Sequence, residues 1–335
     1  MIKSKKLVIT AALCAFTATI SFAQEVTFEN KLSSGIVNVN ITDDKTDTNF
    51  AGIKDEAKAE YSSDQLDLGV KLIIDVNKGD DNSLVIGSES FVDDYFIEFR
   101  PIKYLGIGFH KGYSVAGSYL PCLEKEIDAS NIGSDFGVFV YPIDGLVISG
   151  GVDFISYLFK ENTRPLVNFG AEYSFAEKLT FGVAFRNIAS EERTFGAYAS
   201  FTGLEGLTLN AGFTYNGSID KFNISGNLIN AAVMYNSGKI GIYADAVVAV
   251  GGEKDDANEL YTAVNACYFI TDSFFVGLYG NFTNDFDNED KWSIGISPSA
   301  GYMINQRNTV GASVFVNFMK TMKSISFPVY WKYVF

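Results

Sequence analysis

Histidine and cysteine, on which many catalytic and metal sites depend, are scarce in this sequence. His110 is the only histidine among 335 residues, so neither a histidine-based triad nor a site with several histidine ligands can be assembled. The sequence contains no Cys-x-x-Cys, His-Glu-x-x-His, phosphate-binding loop or Gly-x-Ser-x-Gly motif. These features predict a protein that is not an enzyme and that has no catalytic residue, cofactor or metal site.

Charged side chains are the remaining residues with chemical potential, and many of them recur at alternate positions, as Asp67, Lys71 and Asp75 do. In an extended strand this spacing places them on one face, where a column of charges can contact dissolved ions and polar solutes. The acids in such positions are Glu56, Glu60, Asp67, Asp75, Glu98, Asp153, Glu172 and Asp245. The bases in such positions are Lys58, Lys71, Arg100, Arg186 and Lys332.

The elements that would position these charges are β-strands. Between residues 66 and 76 every second residue is apolar, namely Leu66, Leu68, Val70, Leu72, Ile74 and Val76, and most of the intervening residues are charged or glycine. The same alternation recurs over residues 207–216 and 292–297. Strict alternation predicts strands with one apolar face and one polar face.

Turn-forming segments divide the chain into hairpins. Tight turns are predicted at residues 62–65, 100–103, 141–145, 175–178, 202–206, 236–239, 270–272 and 304–308. Between the hairpins lie mostly longer polar segments, at residues 42–53, 77–92, 117–132, 159–164, 217–225, 251–259 and 284–290, and two short ones, at residues 188–193 and 320–323. Together with a first strand ending near Ile41 and a last strand from about Ser324 to Phe335, the eight hairpins predict 18 strands, with 16 as the alternative.

The fold predicted from these strands is an all-β, antiparallel, up-and-down transmembrane barrel. After residue 23 no apolar run approaches the roughly 20 residues of a membrane-spanning helix, although 47% of all residues are hydrophobic. A soluble β-sandwich also alternates, but its strands average only about 5–6 residues, whereas those predicted here have roughly 10. Short turns on one side and long loops on the other are typical of outer-membrane barrels, and an even strand number places both termini in the periplasm.

The N-terminus has the organisation of a secretory signal peptide. Basic residues at positions 3, 5 and 6 precede an apolar run over residues 7–20, and the small residues Ser21 and Ala23 follow. Cleavage is therefore predicted after Ala23, which makes residues 1–23 the signal peptide and residues 24–335 the barrel. Removing three lysines and no acid changes the formal net charge from −14 to −17, which argues against a nucleic-acid partner.

The last strand carries a specific resemblance. Phe327, Val329, Trp331, Tyr333 and Phe335 occupy alternate positions up to the chain end. This pattern resembles the signal by which bacterial outer-membrane proteins are recognised for assembly, and with the signal peptide and the hairpins it makes the chain similar to porin-like outer-membrane β-barrels. The resemblance implies a bacterial outer-membrane location, contacts with outer-membrane lipid, the barrel-assembly machinery and periplasmic chaperones, and a homo-trimer.

The predicted architecture leads to a predicted activity. Barrels of 16 to 18 strands leave an aqueous channel unless something fills it. If the apolar faces contact lipid, the alternate charged residues line the lumen, with a small excess of acids over bases. A carboxylate excess lowers the energy of cations in a pore. The sequence therefore predicts passive diffusion of small hydrophilic solutes or cations, with weak cation selectivity.

Two alternatives use the same barrel differently. The sequence NFGAEYSFAEKLTFGVAFRN, at residues 168–187, looks like hairpins of long-chain fatty-acid transporters, which implies a transporter for hydrophobic substrates. The short segment between the predicted cleavage site and the first strand leaves no room for the plug of that family. The second alternative is a surface-exposed structural or adhesive barrel, whose long loops bind a partner.

Overall fold

The computed structural model describes residues 26–42, 45–49, 52–78, 84–87, 92–110, 136–152, 167–188, 193–219, 224–251, 258–287, 291–320 and 322–334. These residues form one antiparallel β-sheet of 21 strand segments. Within those ranges, no helix has the length and apolar character needed to cross a membrane.

The segments follow one another in the order of the chain. The first eleven are β1 (Val26–Thr42), β2 (Thr46–Asn49), β3 (Ile53–Ser62), β4 (Leu66–Lys78), β5 (Leu84–Gly87), β6 (Val92–Ile102), β7 (Leu105–His110), β8 (Phe136–Ile143), β9 (Leu146–Val152), β10 (Val167–Phe175) and β11 (Leu179–Arg186). The others are β12 (Thr194–Leu204), β13 (Leu207–Ile219), β14 (Ile224–Ser237), β15 (Ile240–Val250), β16 (Glu259–Phe269), β17 (Phe274–Asp285), β18 (Trp292–Asn305), β19 (Asn308–Ser313), β20 (Phe315–Met319) and β21 (Met322–Val334).

Pairing between the first and last strands closes the sheet into a barrel. β1 pairs with β21 from Glu29 opposite Val334 to Thr42 opposite Met322, with one irregularity between Gly35 and Asn38. On its other side β1 pairs with β3. Apart from the short segments β2 and β5, which each pair on one side only, every remaining strand has a neighbour on each side, so the described wall of the barrel is closed.

The 21 segments correspond to 18 strands around the barrel, because three of these strands consist of two segments each. β2 and β3 both pair with β1, β5 and β6 both pair with β4, and β19 and β20 both lie between β18 and β21. The predicted count of 18 is therefore confirmed. All eight predicted tight turns are also present, with the strands continuing further into most of them.

Two of the predicted loops were partly wrong. Residues 42–53 contain β2, which pairs with β1, and residues 77–92 contain β5, which pairs with the end of β4. Segment Thr46–Asn49 is polar throughout, so it lacks the alternation by which the other strands were recognised. Ladder hydrogen bonds use backbone atoms only, and a strand beyond the apolar band does not need an apolar face.

The two faces of the wall differ in the way the sequence predicts. Large apolar side chains such as Phe181, Leu209 and Ile294 are exposed on one face. On β14 and β16 the alternate positions carry buried residues, including Asn230 and Tyr261. Side chains converge inside a closed barrel and lose accessible surface there, so the buried face is the inner one and the apolar face is the outer one.

Gly145, in the turn between β8 and β9, provides a test of how tightly the hairpins pack. Its φ is 82°, and a Cβ atom there would overlap the carbonyl oxygen of Ser174 at the end of β10. Gly238, in the turn between β14 and β15, also has positive φ, at 51°, but a Cβ atom there would have open space.

We expect Gly145→Ala to lower the free energy of unfolding by about 2 kcal/mol or more, because it adds a backbone overlap to left-handed strain. Gly238→Ala is the matched control, with an expected loss of about 1 kcal/mol. Urea unfolding of the barrel in lipid vesicles measures both changes. Equal losses would contradict the assigned packing of Gly145 against β10.

Candidate functional site

One sector of the inner face carries most of the charged side chains of the barrel wall. We call it the charged wall, and it consists of inward-facing residues of β21, β1, β3, β4 and β6. Its members are Glu29, Lys31, Lys54, Glu56, Lys58, Glu60, Asp67, Lys71, Asp75, Glu98, Arg100 and Lys332. Strand register places these residues side by side, as Lys31 lies opposite both Glu56 and Lys332.

Glu56 is surrounded by three lysines of the charged wall. Its carboxylate lies 2.8 Å from Nζ of Lys54, 3.7 Å from Nζ of Lys71 and 3.8 Å from Nζ of Lys31. The three lysines come from three adjacent strands, and their side chains are more exposed than that of Glu56, with 36–44% against 18%. The carboxylate thus lies close to the wall, and the ammonium groups cover it from the side of the lumen.

Two further ion pairs extend the charged wall toward the turns. Lys58 Nζ lies 2.7 Å from Oε1 of Glu60, and Lys332 Nζ lies 2.9 Å from Oε1 of Glu29. All four side chains are 37–49% exposed. Such exposed pairs contribute little to stability, and their charges remain available to solvent and to dissolved ions.

Arg100 joins three strands through a more buried cluster. Its Nη2 lies 2.5 Å from Oδ2 of Asp67 on β4, and its Nε donates to Oε1 of Glu98 at 2.9 Å. The hydroxyl of Tyr141 on β8 donates to the same Glu98 oxygen at 2.6 Å. The Arg100 guanidinium carbon also lies 5.8 Å from the centre of the Tyr141 ring. This arrangement compensates both carboxylates and fixes the side chain of Arg100.

The opposite part of the inner face is mostly uncharged. We call it the neutral wall, and it consists of inward-facing residues of β12 to β18 that are rich in Asn, Ser, Thr and Tyr. Tyr198 of β12 reaches across β11 and donates to Glu172 of β10. Tyr243 donates to Oδ2 of Asp245 at 2.9 Å, and the hydroxyls of Thr283 and Ser293 are 2.6 Å apart.

Burial separates the two walls further. On the neutral wall Thr214, Asn230 and Tyr261 are at most 2% exposed and Asp245 is 5% exposed, in contrast to the lysines of the charged wall. Solvent inside the barrel therefore contacts the lysines of the charged wall far more than it contacts these buried residues of the neutral wall.

The structure places the predicted pore-lining residues in two groups. Those on the charged wall lie close together: Glu56, Lys58, Glu60, Asp67, Lys71, Asp75, Glu98, Arg100 and Lys332. Glu172, Arg186 and Asp245 also have the inward parity but lie on other strands, away from that cluster. Asp153 is outside the described residues, as is the side chain of His110.

Sequence reasoning missed Glu29, Lys31 and Lys54 on the charged wall. In β1 the outward positions include Asn30 and Ser34, so the apolar alternation that would have identified an inner face is broken. Lys54 directly follows a segment that was predicted as a loop. The signal that could have found them is the repeat of charges at alternate positions, from Lys54 through Glu56 and Lys58 to Glu60.

Four of the five predicted assembly residues lie on the outer face of β21. Trp331 and Phe327 are 45% and 42% exposed, and Val329 and Tyr333 share their parity. Phe335 is outside the described residues. Recognition of this strand by the assembly machinery stays a prediction. Within the described part of the chain, no group of three His, Cys, Asp or Glu side chains is arranged to hold a metal ion.

Comparison with known proteins gives matches in structure only. No family model and no curated protein sequence matches the chain. The barrel is similar to Acinetobacter baumannii OccAB4, with a TM-score of 0.55, 10% identity and coverage of 94% of this chain and 99% of the other. It is similar to the outer membrane protein opdK from Pseudomonas aeruginosa, with a TM-score of 0.53, 12% identity and coverage of 94% and 100%. It is also similar to Pseudomonas aeruginosa OpdL, with a TM-score of 0.56, 10% identity and coverage of 93% of this chain and 99% of the other.

The closed barrel and these matches together identify the fold. The chain has the fold of porin-like outer-membrane β-barrels. The predicted all-β antiparallel barrel is therefore confirmed. Because the compared chains are only 10–12% identical, the matches carry no information about individual residues of the two walls.

The Arg100 cluster and the exposed pairs of the charged wall should respond differently to mutation. We expect Arg100→Ala to lower the free energy of unfolding by about 1–3 kcal/mol, because Asp67 and Glu98 lose their shared cation in a partly buried place. Lys58→Ala, which breaks an exposed pair, should cost about 0–1 kcal/mol. Urea unfolding in lipid vesicles measures both values, and a larger loss for Lys58→Ala would contradict the difference in burial between the two sites.

Proposed function

We propose that this chain is an outer-membrane channel through which small hydrophilic solutes diffuse passively. The observation that supports the proposal is the charged wall, a set of lysines and carboxylates on the inner face of a closed 18-strand barrel, with lysine side chains 36–49% exposed. Removing such ions from water costs several kcal/mol for each ion. Water along the charged wall avoids that cost and provides the path for solutes.

The proposed setting of the channel follows from both ends of the chain. Residues 1–23 would direct export and be removed after Ala23. The barrel-assembly machinery would recognise the outward residues Phe327 and Trp331 of β21 together with Phe335. Periplasmic chaperones and outer-membrane lipid are the other proposed partners. The resemblance to porin-like barrels alone would make the assembly a homo-trimer.

We propose weak cation selectivity for the channel. Ion pairs make most of the charged wall locally neutral, so its net effect on dissolved ions is small. Glu172 is different, because the partner described for its carboxylate is a tyrosine hydroxyl rather than a lysine. A tyrosine hydrogen bond leaves the carboxylate charge in place, and that charge lowers the energy of cations nearby.

The charged wall argues against a carrier of hydrophobic substrates, because a hydrophobic solute would have to displace water from several ion pairs. The proposal therefore favours hydrophilic solutes, and it assigns the barrel no enzymatic step. The structural or adhesive alternative depends on the long loops, which lie largely outside the described residues.

Planar-bilayer recording tests the proposal directly. We expect stepwise conductance increases on insertion of the purified barrel, and in a KCl gradient a reversal potential of the sign that marks cation preference. Folded protein that inserts without conducting would refute the channel. Conductance with a potential of the opposite sign would refute only the cation preference.

Glu172→Gln should shift the reversal potential toward zero, because it removes from the inner face a carboxylate whose described partner is a tyrosine hydroxyl. Glu205→Gln is the matched control, since Glu205 lies in the turn between β12 and β13 and is exposed. We expect a smaller shift for the control than for Glu172→Gln. Equal shifts would place the selectivity at the mouth of the barrel rather than at Glu172.

A further inference from the structure

Asp55 on β3 is an acidic residue on the outer face of the barrel. It lies opposite Leu32 of β1 and Ile74 of β4, and both of those side chains are exposed outward. The outward positions of the other described strands at this level carry mainly Ile, Leu, Val and Phe. A carboxylate on the face that meets lipid is costly, and it therefore requires an explanation.

The depth of Asp55 places it within the apolar band. It lies seven residues before Ser62, where the turn to β4 begins. At the rise and tilt typical of barrel strands, this separation corresponds to about 18 Å along the membrane normal. The apolar band of such barrels is about 25 Å tall, so Asp55 is not at a headgroup level where water would solvate it.

A neighbouring amide satisfies only part of the hydrogen-bonding capacity of Asp55. Nδ2 of Asn30, on β1, donates to Oδ1 of Asp55 at 2.8 Å. Oδ2 of Asp55 and the second amide hydrogen of Asn30 have no hydrogen-bond partner among the described residues. Hydrocarbon offers neither hydrogen-bond donors nor acceptors. The outer face of the barrel therefore carries one unmatched acceptor, on Asp55, beside one unmatched donor, on Asn30.

We propose that the outer wall formed by β1 and β3 is a contact surface for a second copy of this chain. In a two-fold contact, Oδ2 of each Asp55 accepts a hydrogen bond from Asn30 of the partner subunit, so that the two unmatched groups satisfy each other reciprocally. The outward residue Ala57 is small and allows the two walls to approach closely beside Asp55. This inference rests on the membrane location in the proposed function.

A two-fold contact has a consequence for stoichiometry. The same surface of each copy is used, so the contact closes after two chains, whereas a trimer would join two different surfaces of each chain. The proposed contact therefore gives a dimer, in contrast to the trimer that the resemblance to porin-like barrels implies.

The oligomeric state of the purified full-length barrel tests this contact. We expect a dimer by native mass spectrometry in mild detergent, and an increase of at least tenfold in its dissociation constant for Asp55→Leu. Leu209→Ala, at an outward position of β13, is the matched control and should leave the dimer intact. A monomeric or trimeric wild-type protein, or a dimer that Asp55→Leu leaves unchanged, would overturn the proposal.

Cross-linking locates the contact independently of affinity. In a background in which Cys122 and Cys267 are replaced by serine, a short thiol-to-thiol cross-linker should yield a covalent dimer of Asp55→Cys, and Leu209→Cys should yield none. Equal cross-linking of both variants would overturn the proposal. Because Asp55 faces away from the lumen, Asp55→Leu should keep the conductance of each barrel, so a barrel that never conducts marks failure of the proposed function and not of the contact.

Discussion

The hydrogen-bonded seam between β1 and β21 is the constraint on which the rest of the structure depends. A sheet in a membrane cannot leave backbone N–H and C=O groups unpaired, because lipid offers them no partner. Pairing of β1 with β21, from Glu29 opposite Val334 to Thr42 opposite Met322, removes the last free edge. Once the sheet is closed, each residue faces either the inside or the outside, and strand parity alone decides which. The charged wall is a direct consequence of this closure.

The sequence was informative where parity was regular. In β4 strict alternation of apolar residues with Asp67, Lys71 and Asp75 predicted both faces, and the register with β3 agrees with that assignment. β1 was harder to interpret, since Asn30 interrupts the apolar face for a reason that has nothing to do with lipid. A side chain that meets another protein surface instead of lipid does not obey the alternation rule.

Contacts between strands could not be predicted from parity. The sequence places Arg100 and Asp67 on inner faces, but it does not state that β4 and β6 are neighbours at the level where the two side chains meet. The grouping of three lysines around Glu56 depends in the same way on register across β1, β3 and β4. Composition indicates an excess of carboxylates, and only the register shows which of them have cationic partners.

The assignment of the charged wall to the inner face of the barrel is the central claim, and thiol labelling during conduction tests it most directly. Lys58 and Ala57 are adjacent on β3 and face opposite sides. In a background without other cysteines, a charged, membrane-impermeant thiol reagent should reduce the current through Lys58→Cys and leave the current through Ala57→Cys unchanged. Loss of current through Ala57→Cys with no effect on Lys58→Cys would contradict the assignment of the two faces.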